Sequence, residues 1–502
     1  MMDWRNNIGW DTHLKPFLYK KLPSKTGWSA VLGTLCALTF ALMAVTGMVL
    51  AFYYVPDPDK AWDSVNFISN EVALGRILRG LHHWGAGAMI LLAFIHLMLS
   101  YLHGAYQNPR QLTWVSGAFL FVIVLGLGFT GYLLPWDMKA YWATMVGANI
   151  PNQYPIVGNY ITRFILGGSD ISGFTLTRFY SVHTLILPAC LLLFAAMHIY
   201  LVRVHNLSDP RERMAGEQLP PDDGKPFRFY PEHMNRAALA FGALFVVLLL
   251  LAVFVDTPME EQAGTFIADY LPRPEWYYMW MFQVLTFFSG RWELIGGIVL
   301  FGGMCIVLFG VPFFSESKIK GVANRPVSVA VASTLFLGIA YLTWVAYHET
   351  SPYNKTILLP GRELTAIQQE GLTLYVQNEC AYCHNIMGEG GLRIGPDLSN
   401  VTRKKRNLEY LKTYIKSPEA ILASTIMPAY EMTDEQLEQL AKFLLALDFR
   451  GNVGTVRLDT APILEAARRQ AAIDAEKREN IAGEAPAAEV TPEAREAAVA
   501  AP

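Results

Sequence analysis

The sequence predicts an all-α, polytopic membrane protein with seven transmembrane helices, followed by a small helical domain near the C-terminus. Of its 502 residues, 53% are hydrophobic and only 17% are charged, and the mean hydropathy is positive. Seven apolar stretches are long enough to cross about 30 Å of hydrocarbon. These predicted spans run at 29–54, 77–103, 114–134, 178–203, 237–256, 293–314 and 327–347.

Changes in composition mark the parts of the chain that follow the last span. A linker at 351–361 leads to a soluble domain at 362–450, which contains two amphipathic segments that predict helices. Ala, Glu, Arg and Pro dominate 451–502, so a disordered tail is predicted there.

Lysine and arginine are concentrated in alternate connections between the spans. The N-terminal segment and the connections that follow the second, fourth and sixth spans hold most of them. Basic residues favour the cytoplasmic side, so the N-terminus is predicted to be cytoplasmic and the C-terminal domain to lie outside. No cleavable signal pattern precedes the first span, which is therefore expected to direct insertion. The net charge of −3 argues against a nucleic-acid partner.

Four histidines occur in two apolar spans at nearly the same spacing. His82 and His96 lie 14 residues apart, and His183 and His198 lie 15 apart. At about 1.5 Å per residue, each pair is ~21 Å apart along its helix and returns to nearly the same face. A lone histidine in such a helix is usually a satisfied polar residue, whereas four in matched pairs predict two haems with bis-histidine ligation. Both spans run inward, so His82 is paired with His183 near the outer face and His96 with His198 near the inner face.

Glycines repeat with the same step in the first and third spans. Gly33 and Gly47 lie 14 residues apart, as do Gly117 and Gly131. Glycine weakens a helix, so its repeated use indicates the close approach of a flat, bulky group to the backbone. Packing of small residues between membrane helices is the alternative, but it does not explain why the glycine step equals the histidine step. Four helices enclosing two stacked haems are therefore predicted.

The soluble domain contains a C-x-x-C-H motif formed by Cys380, Cys383 and His384. This motif attaches haem c covalently and supplies one axial ligand. A zinc or redox C-x-x-C is the alternative, but no second Cys/His pair has the spacing to complete a zinc site. Met427 is the predicted sixth ligand of the haem iron, and Met432 is the alternative candidate. A buried methionine can also be an ordinary core residue. Methionine/histidine ligation gives a relatively high potential.

In the connection between the fifth and sixth spans, Pro274 and Glu275 are followed by the aromatic residues Trp276, Tyr277 and Tyr278. A proline followed by Glu275 is an ordinary helix N-terminus, and spacing alone favours that interpretation. The alternative is a functional carboxylate at the outer rim of the membrane. Tyr277 in this run and Tyr141 in the preceding outer connection are either pocket residues or plain interfacial aromatics.

Together these residues resemble the cytochrome b family of quinol–cytochrome c reductases, from about residue 15 to about residue 350. The resemblance implies a four-helix dihaem domain at 1–210 and a three-helix domain at 211–350, which bf complexes carry as a separate subunit. The 14- and 15-residue histidine steps are similar to those of the chloroplast-type (bf) branch. Stretches such as Thr130-Gly131-Tyr132 and Leu134-Pro135-Trp136-Asp137 are also similar to that branch. Residues 362–450 resemble a class I cytochrome c, in which Pro396 matches the proline whose carbonyl holds the haem histidine.

The resemblance implies roles for particular residues. The segment from Pro274 to Tyr277 matches the signature of the family's quinol-oxidation site, which replaces the helix-start interpretation and makes Glu275 the proton acceptor. Arg79 and Arg178 would pair with the propionates of the outer haem. Arg203 would pair with those of the inner haem or line the quinone-reduction site. The bf branch attaches an extra haem through a cysteine one turn before the first glycine. Val31 stands there, so no covalent haem is predicted at the inner quinone site, and an unattached one stays open.

The resemblance also implies a reaction and partners. The family oxidises quinol at the outer face and passes one electron to a mobile Rieske iron–sulfur protein and on to haem c. The other electron crosses through the two b haems to reduce quinone at the inner face, with proton translocation. This sequence offers no iron–sulfur ligands, so a separate Rieske protein is expected, together with a periplasmic acceptor that is a cytochrome c or a copper protein. A homodimeric complex in the lipids of a bacterial cytoplasmic membrane is expected from the resemblance.

Two rival functions stay open from the sequence. One is a dihaem membrane anchor for a dehydrogenase, in which quinone meets haem b without splitting of its electrons. The other is an electron wire that links quinone to a periplasmic cytochrome. Dehydrogenase anchors have fewer helices and lack the run at 274–277. In an electron wire the cytochrome b part would have lost its enzymatic function, and the presence of Glu275 and of all four histidines argues against such a loss. A transporter would leave the C-x-x-C-H motif unexplained.

Overall fold

The computed structural model describes most of the chain, including every candidate residue named above. The described residues are 12, 15–23, 26–152, 154, 156–168, 171–219, 227–263, 273–288, 293–297, 302–314, 318–348, 356–387, 389–390, 396–399, 401, 406–421, 427, 429–430, 432–449, 454–463, 465–466 and 469. They fall into two compact units, one formed mainly by residues 1–349 and the other mainly by 350–502.

Within the described ranges, six helices are long and apolar enough to cross a membrane. They are Trp28–Ala51, Gly75–Leu102, Gln111–Tyr132, Gly173–His205, Phe229–Phe254 and Pro326–His348. Each matches a predicted span, so the chain is a multi-pass membrane protein. The remaining predicted span, 293–314, is described only as Glu293–Gly297 and Met304–Phe314, because 298–301 lie outside the described residues. The count of seven therefore stays a prediction.

The fourth apolar helix begins at Gly173 rather than at the predicted 178. The segment from Gly173 to Thr177 alternates small or polar residues with Phe174 and Leu176, so its hydropathy does not mark a span, but the helix start is well capped. The backbone N–H of Ser172 donates to the Thr175 hydroxyl at 3.0 Å, and the Thr175 N–H donates back to the Ser172 carbonyl at 2.9 Å. Such reciprocal bonds satisfy donors that a helix start leaves unpaired.

Short helices lie before the first apolar helix and in the connections between the apolar helices. They are Lys15–Leu18, Ala61–Asn70, Met138–Asn152, Gly158–Leu166, Trp276–Tyr278, Met279–Thr286 and Val322–Asn324. Two of them, Met138–Asn152 and Gly158–Leu166, follow the third apolar helix, in the connection that contains Tyr141. Ala61–Asn70 was not predicted, although it buries Ala61, Ser64, Val65 and Ile68 with the spacing of one helical face.

The first apolar helix packs on the second, and the third packs on the fourth, while the fifth lies against the first two. Leu81, Leu248 and Ala252 form one buried cluster between the second and fifth helices. Another, made by Ile90, Val124 and Leu191, joins the second, third and fourth helices and has the ring of Tyr277 packed against it. The four-helix part and the segment at 274–278 are thus in direct contact.

A buried ionic cluster joins the three connections that are rich in basic residues. Lys320 is 1% exposed and pairs with Glu212, while Arg110 donates to the carbonyls of Asn206 at 3.0 Å and Leu207 at 3.1 Å. Burial lowers the pKa of Lys320, and the Glu212 carboxylate opposes that shift. A buried lysine is tolerated because its charge is paired. These basic residues therefore hold the connections together, in addition to their predicted role in setting the orientation of the chain in the membrane.

The second unit is built around the two predicted amphipathic helices, observed at Ala366–Gln377 and Asp434–Ala446. Both begin with a capping box, in which Thr365 pairs with Gln368 and Thr433 with Gln436. Other helices in the described part of this unit include Cys380–Cys383, Leu408–Lys416 and Pro418–Ile421. The core includes Tyr375, Ile386, Leu437 and Phe443, each at most 1% exposed.

Short antiparallel strand pairs correct the all-α prediction. Lys21–Leu22 pairs with Phe227–Arg228, Asn385–Ile386 with Glu389–Gly390, and Thr356–Pro360 with Thr455–Asp459. The last pair takes one strand from the predicted linker and one from the predicted tail, so those predictions were wrong for these residues. Five-residue strands are too short to stand out by periodicity, but Ile357 and Leu359 alternate into the core at 0% and 8% exposure. Residues 471–502 of the predicted tail lie outside the described residues.

Gly371 lies where the two long helices of the second unit cross. An added Cβ would stand 2.1 Å from the Gln439 carbonyl oxygen and 2.7 Å from Cβ of Phe443. Gly371→Ala is therefore expected to destabilise this unit by about 3 kcal/mol through overpacking. Hydrogen exchange of the full chain should show faster exchange in 366–377. Gly454→Ala, where nothing lies within 4 Å, is the matched control, and equal exchange in both variants would contradict the expectation.

Candidate haem and quinol sites

The rings of His82 and His183 face each other between the second and fourth apolar helices. Their centroids are 6.3 Å apart and their planes are inclined by 78°. Two imidazoles that share one metal have ring centres about 6 Å apart, because each metal–nitrogen bond is about 2 Å. The donor set and its spacing therefore fit a bis-histidine haem iron, and the structure brings together the pair predicted for the outer face.

A π turn at Val182–Ile186 contains His183. The next helical segment, Leu187–His205, has Pro188 in its first turn, and proline cannot donate to the carbonyl of Thr184. A π turn takes up one extra residue. The 15-residue step from His183 to His198 is thereby equivalent to the 14-residue step in the second helix, and the two histidine pairs stay in register.

Each of the four glycines lies against one of the four histidine rings. A Cβ added at Gly131 would stand 2.6 Å from Cε1 of His183, and one at Gly47 would stand 3.0 Å from Cε1 of His82. The corresponding distances are 3.2 Å between Gly117 and His198 and 3.5 Å between Gly33 and His96. The equal steps arise because each glycine makes room for an imidazole. The flat group predicted to approach the glycines is therefore, in this structure, the histidine ring.

A hydroxyl group bonds the Nδ1 atom of three of the four histidines. Thr46 lies 2.9 Å from His82, Thr130 lies 3.1 Å from His183, and Ser116 lies 2.9 Å from His198. We call these contacts the three hydroxyl bridges. Each hydroxyl comes from the residue directly before a glycine that touches the same ring. This pairing of a hydroxyl residue with the next glycine is visible in the sequence, but the sequence analysis did not predict the contacts.

The inner pair, His96 and His198, comes from the same two helices as the outer pair. Gly33 and Gly117 of the first and third helices border their rings. The pairing of His96 with His198 at one haem iron stays a prediction.

The three arginines predicted to serve the haems bond backbone carbonyls. Arg79 donates to Pro258 at 2.7 Å, and Arg178 donates to Phe164. Arg203 donates to the Phe17 carbonyl at 2.7 Å, and its guanidinium lies 3.7 Å from the centre of the Phe17 ring. Each therefore ties a helix end to a neighbouring segment, and their contact with propionates stays a prediction.

Glu275 forms an ion pair with Lys139, which sequence reasoning missed. Oε1 lies 3.2 Å from the Lys139 Nζ, and the two side chains are 13% and 19% exposed. Asp137 positions this lysine. Its buried carboxylate accepts the N–H of Ala140 at 2.9 Å and of Glu260 at 3.1 Å. Those bonds hold the start of helix Met138–Asn152 against the connection that leads to Glu275.

Aromatic residues follow Glu275 directly in the chain. Tyr277 lies between Trp276 and Tyr278, with ring centroids 5.5 Å and 4.8 Å away. Tyr278 in turn contacts Phe129 and Tyr132 of the third apolar helix. Pro274 precedes Glu275 and is half-buried, whereas Tyr141 packs edge-on against Trp142. The segment after Glu275 is thus a group of packed aromatic rings, and aromatic side chains are typical of sites that bind flat apolar molecules.

The C-x-x-C-H motif occupies a short helix in the second unit. Nδ1 of His384 lies 2.8 Å from the Pro396 carbonyl oxygen. A carbonyl only accepts, so Nδ1 carries the hydrogen and Nε2 is left free to bind a metal. Burial lowers the pKa of His384, which favours the neutral, metal-binding ring. Burial raises the pKa of Cys380 to about 12 and that of Cys383 to about 11, so neither is a thiolate at neutral pH, unlike a redox-active cysteine.

Met427 packs against the same core as Cys380 and Cys383. Met432 also packs against this core. Packing therefore does not show which of the two methionines is the sixth ligand. Met387 is 48% exposed. The donors for a covalently attached haem, namely two thiols, one free imidazole nitrogen and a nearby thioether, are all present in this unit.

Comparison with protein families identifies three matching regions. Residues 19–206 match the family described as cytochrome b/b6/petB, and residues 272–363 match cytochrome b(C-terminal)/b6/petD. Residues 368–448 match the cytochrome c family. Domains of these kinds carry haem b and haem c, in agreement with the donor sets described above.

Individual relatives agree with these matches. The chain is 45% identical over 179 residues to the menaquinol:cytochrome c reductase cytochrome b subunit of Bacillus subtilis (strain 168), which covers 36% of this chain and 80% of that protein. It is also 45% identical over 179 residues to cytochrome b6 of Heliomicrobium gestii, covering 36% and 84%.

A longer match is 34% identical over 278 residues to the cytochrome bc complex cytochrome b subunit of Chlorobaculum thiosulfatiphilum, covering 55% and 64%. Among solved structures, a chain of a hyperthermophilic respiratory complex III is similar with a TM-score of 0.63 and 25% identity, covering 70% of this chain and 92% of that chain. From these matches, and from the paired histidines and the C-x-x-C-H motif, it follows that the chain belongs to the cytochrome b/b6 family and has a C-terminal cytochrome c domain.

Proposed function

We propose that the chain is the cytochrome b–c fusion subunit of a bc-type quinol:cytochrome c oxidoreductase. The observation that carries this proposal is the His82–His183 pair, whose 6.3 Å spacing fits a haem iron, close in the fold to the aromatic segment that contains Glu275. Relatives named as menaquinol:cytochrome c reductase and cytochrome bc complex subunits support the same reaction class.

Each cofactor would be held by residues of this chain. His82 and His183 would bind the outer haem b, and His96 and His198 the inner one. Cys380, Cys383, His384 and Met427 would hold haem c, with Pro396 orienting the imidazole. When bound, these groups would accept single electrons, so that one electron of a quinol could go outward to haem c while the other crosses the membrane.

Glu275 would take a proton from quinol at the outer face. A carboxylate beside a bound hydroxyl group acts as a general base, and here Lys139 holds it at a defined place. Pro274 starts the segment at a fixed backbone angle, and Tyr277 fills the space between this segment and the second, third and fourth helices. The Glu275 side chain is only 13% exposed, which favours transfer of the proton to the carboxylate over direct transfer to solvent.

The inner face would carry the quinone-reduction site. Arg203 lies at the inner end of the fourth helix, where its positive charge favours a quinone oxygen that gains negative charge. Val31 in place of the bf cysteine leaves no covalent haem there. With the N-terminus in the cytoplasm, quinol oxidation and the cytochrome c domain would lie outside, in a bacterial cytoplasmic membrane.

The proposal requires partners. A separate Rieske iron–sulfur protein would take the first electron, and a periplasmic cytochrome c or copper protein would receive it from haem c. A homodimer is proposed from the family resemblance.

Haem stoichiometry in the purified complex tests this function. A pyridine haemochrome spectrum is expected to give two haem b for each haem c, the latter retained after acid–acetone extraction because it is covalent. Cys380→Ser with Cys383→Ser is expected to remove haem c and leave both b haems. One haem b per chain would instead favour a simple membrane anchor or electron wire.

A further inference from the structure

We propose that the hydroxyls of Thr46 and Thr130 hold the reduction potential of the outer haem below that of the inner haem, and that Ser116 alone acts in this way on the inner haem. The inference rests on the proposed function in one respect, namely that the four histidines bind haem iron. It goes further by naming the positioning residues that make the two haems unequal.

The hydroxyl bridges determine which nitrogen of each ring carries the hydrogen. Thr46 donates its own hydrogen to the Leu42 carbonyl at 2.9 Å, and Thr130 donates to Gly126 at 2.8 Å. Ser116 donates to the Thr113 carbonyl at 2.8 Å. Since each hydroxyl hydrogen is already committed to a carbonyl, the oxygen can only accept from Nδ1. The imidazole must then carry its hydrogen on Nδ1, which leaves Nε2 bare toward the metal.

These bridges are buried, so water does not replace them. Thr46, Ser116 and Thr130 are 2%, 1% and 5% exposed. Bonds in such a chain polarise one another, from Nδ1–H to the hydroxyl and from the hydroxyl to the helix carbonyl. Partial loss of the Nδ1 hydrogen makes the imidazole a stronger donor to the metal. A stronger donor stabilises the oxidised iron and lowers the potential.

The bridges are distributed unequally between the two histidine pairs. The outer pair has two, on His82 and on His183, whereas the inner pair has one, on His198. Among the described residues no hydrogen bond reaches the ring of His96. The corresponding position, directly before Gly33, is occupied by Leu32, which has no hydroxyl. The outer haem therefore has the more strongly donating ligands, and an electron passing from outer to inner haem moves to the higher potential.

Redox titration of the two b haems in the purified complex tests this inference. Thr46→Val and Thr130→Val are nearly isosteric and remove one bridge each. Each is expected to shift the outer haem to a more positive midpoint, and the double variant is expected to shift it further, with the inner haem unmoved. Ser116→Ala is expected to shift only the inner haem. Thr46→Ser keeps the hydroxyl and is expected to restore the original midpoint.

Thr39→Val is the matched control on the same helix. Thr39 is 0% exposed and its hydroxyl donates to the Leu35 carbonyl at 2.8 Å, but it makes no histidine bond. An unmoved outer midpoint in the double variant, with low-spin bis-histidine spectra retained, would overturn the inference and leave the proposed function intact. A shift in Thr39→Val as large as that in Thr46→Val would overturn it too. A wild-type spectrum without bis-histidine ligation would overturn both. If a valine variant lost its haem, the midpoint potential of the inner haem in Ser116→Ala would be the deciding measurement. A positive shift would support the inference, and an unchanged midpoint would overturn it.

Discussion

Gly131→Ala is expected to remove the outer haem b and leave the inner one. The new Cβ would stand 2.6 Å from Cε1 of His183 and 3.2 Å from its Nδ1 and Nε2, so the ring must leave its place beside Thr130. Alanine favours a helix over glycine by about 1 kcal/mol, so the loss cannot come from weakening the helix. The expected haemochrome ratio falls from two haem b per haem c to one.

Two further glycines serve as controls for this prediction. Gly338→Ala lies in the sixth apolar helix with nothing within 4 Å and is expected to retain both b haems. Gly33→Ala would place its Cβ at an ordinary 3.5 Å from His96, so the inner haem is also expected to remain. Loss of the inner haem in Gly33→Ala would contradict the view that these glycines accommodate the imidazoles, and would favour direct contact between glycine and haem.

Glu275→Gln is expected to slow quinol oxidation by about 10²- to 10⁴-fold, the usual contribution of a general base. Glutamine keeps the shape of the side chain and still accepts a hydrogen bond from Lys139, but it cannot accept a proton at neutral pH. The haem content and spectra are expected to stay unchanged. Stopped-flow reduction of the b and c haems by a soluble quinol measures the effect.

Glu71→Gln is the control for charge removal on the same predicted face. Glu71 is an exposed carboxylate in the connection between the first and second apolar helices, and its replacement is expected to leave the rate unchanged. A Glu275→Gln complex that oxidises quinol at the wild-type rate would exclude Glu275 as the proton acceptor. Equal slowing by both variants would indicate a general effect of charge at this face.

Features that follow from helix geometry could be predicted from the sequence. Six of the predicted spans appear as membrane-length helices, and the neighbouring rings of His82 and His183 follow from spacing and from the common direction of the two spans. The contact between His384 and Pro396 was expected from family resemblance, because the C-x-x-C-H motif identifies its domain. In each case the information is local or repeats with the helical period.

Features that depend on contacts between distant segments could not be predicted. Lys139 reaches Glu275 only because Asp137 ties two outer connections together through backbone N–H groups, which no periodicity reveals. The strand at 455–459 looks like part of a polar tail until its partner at 356–360 is known. The π turn around His183 was signalled only by Pro188 and by one extra residue in the histidine step.

The fate of the two electrons of a single quinol tests the central proposal most directly. The complete complex, with its Rieske protein and with the inner quinone site inhibited, would receive a substoichiometric pulse of a soluble naphthoquinol or benzoquinol. The haems would be followed at their separate absorption bands. Equal reduction of b-type and c-type haem, one electron each per quinol, is the result that this account predicts. Delivery of both electrons to haem c, or of both to the b haems, would contradict it.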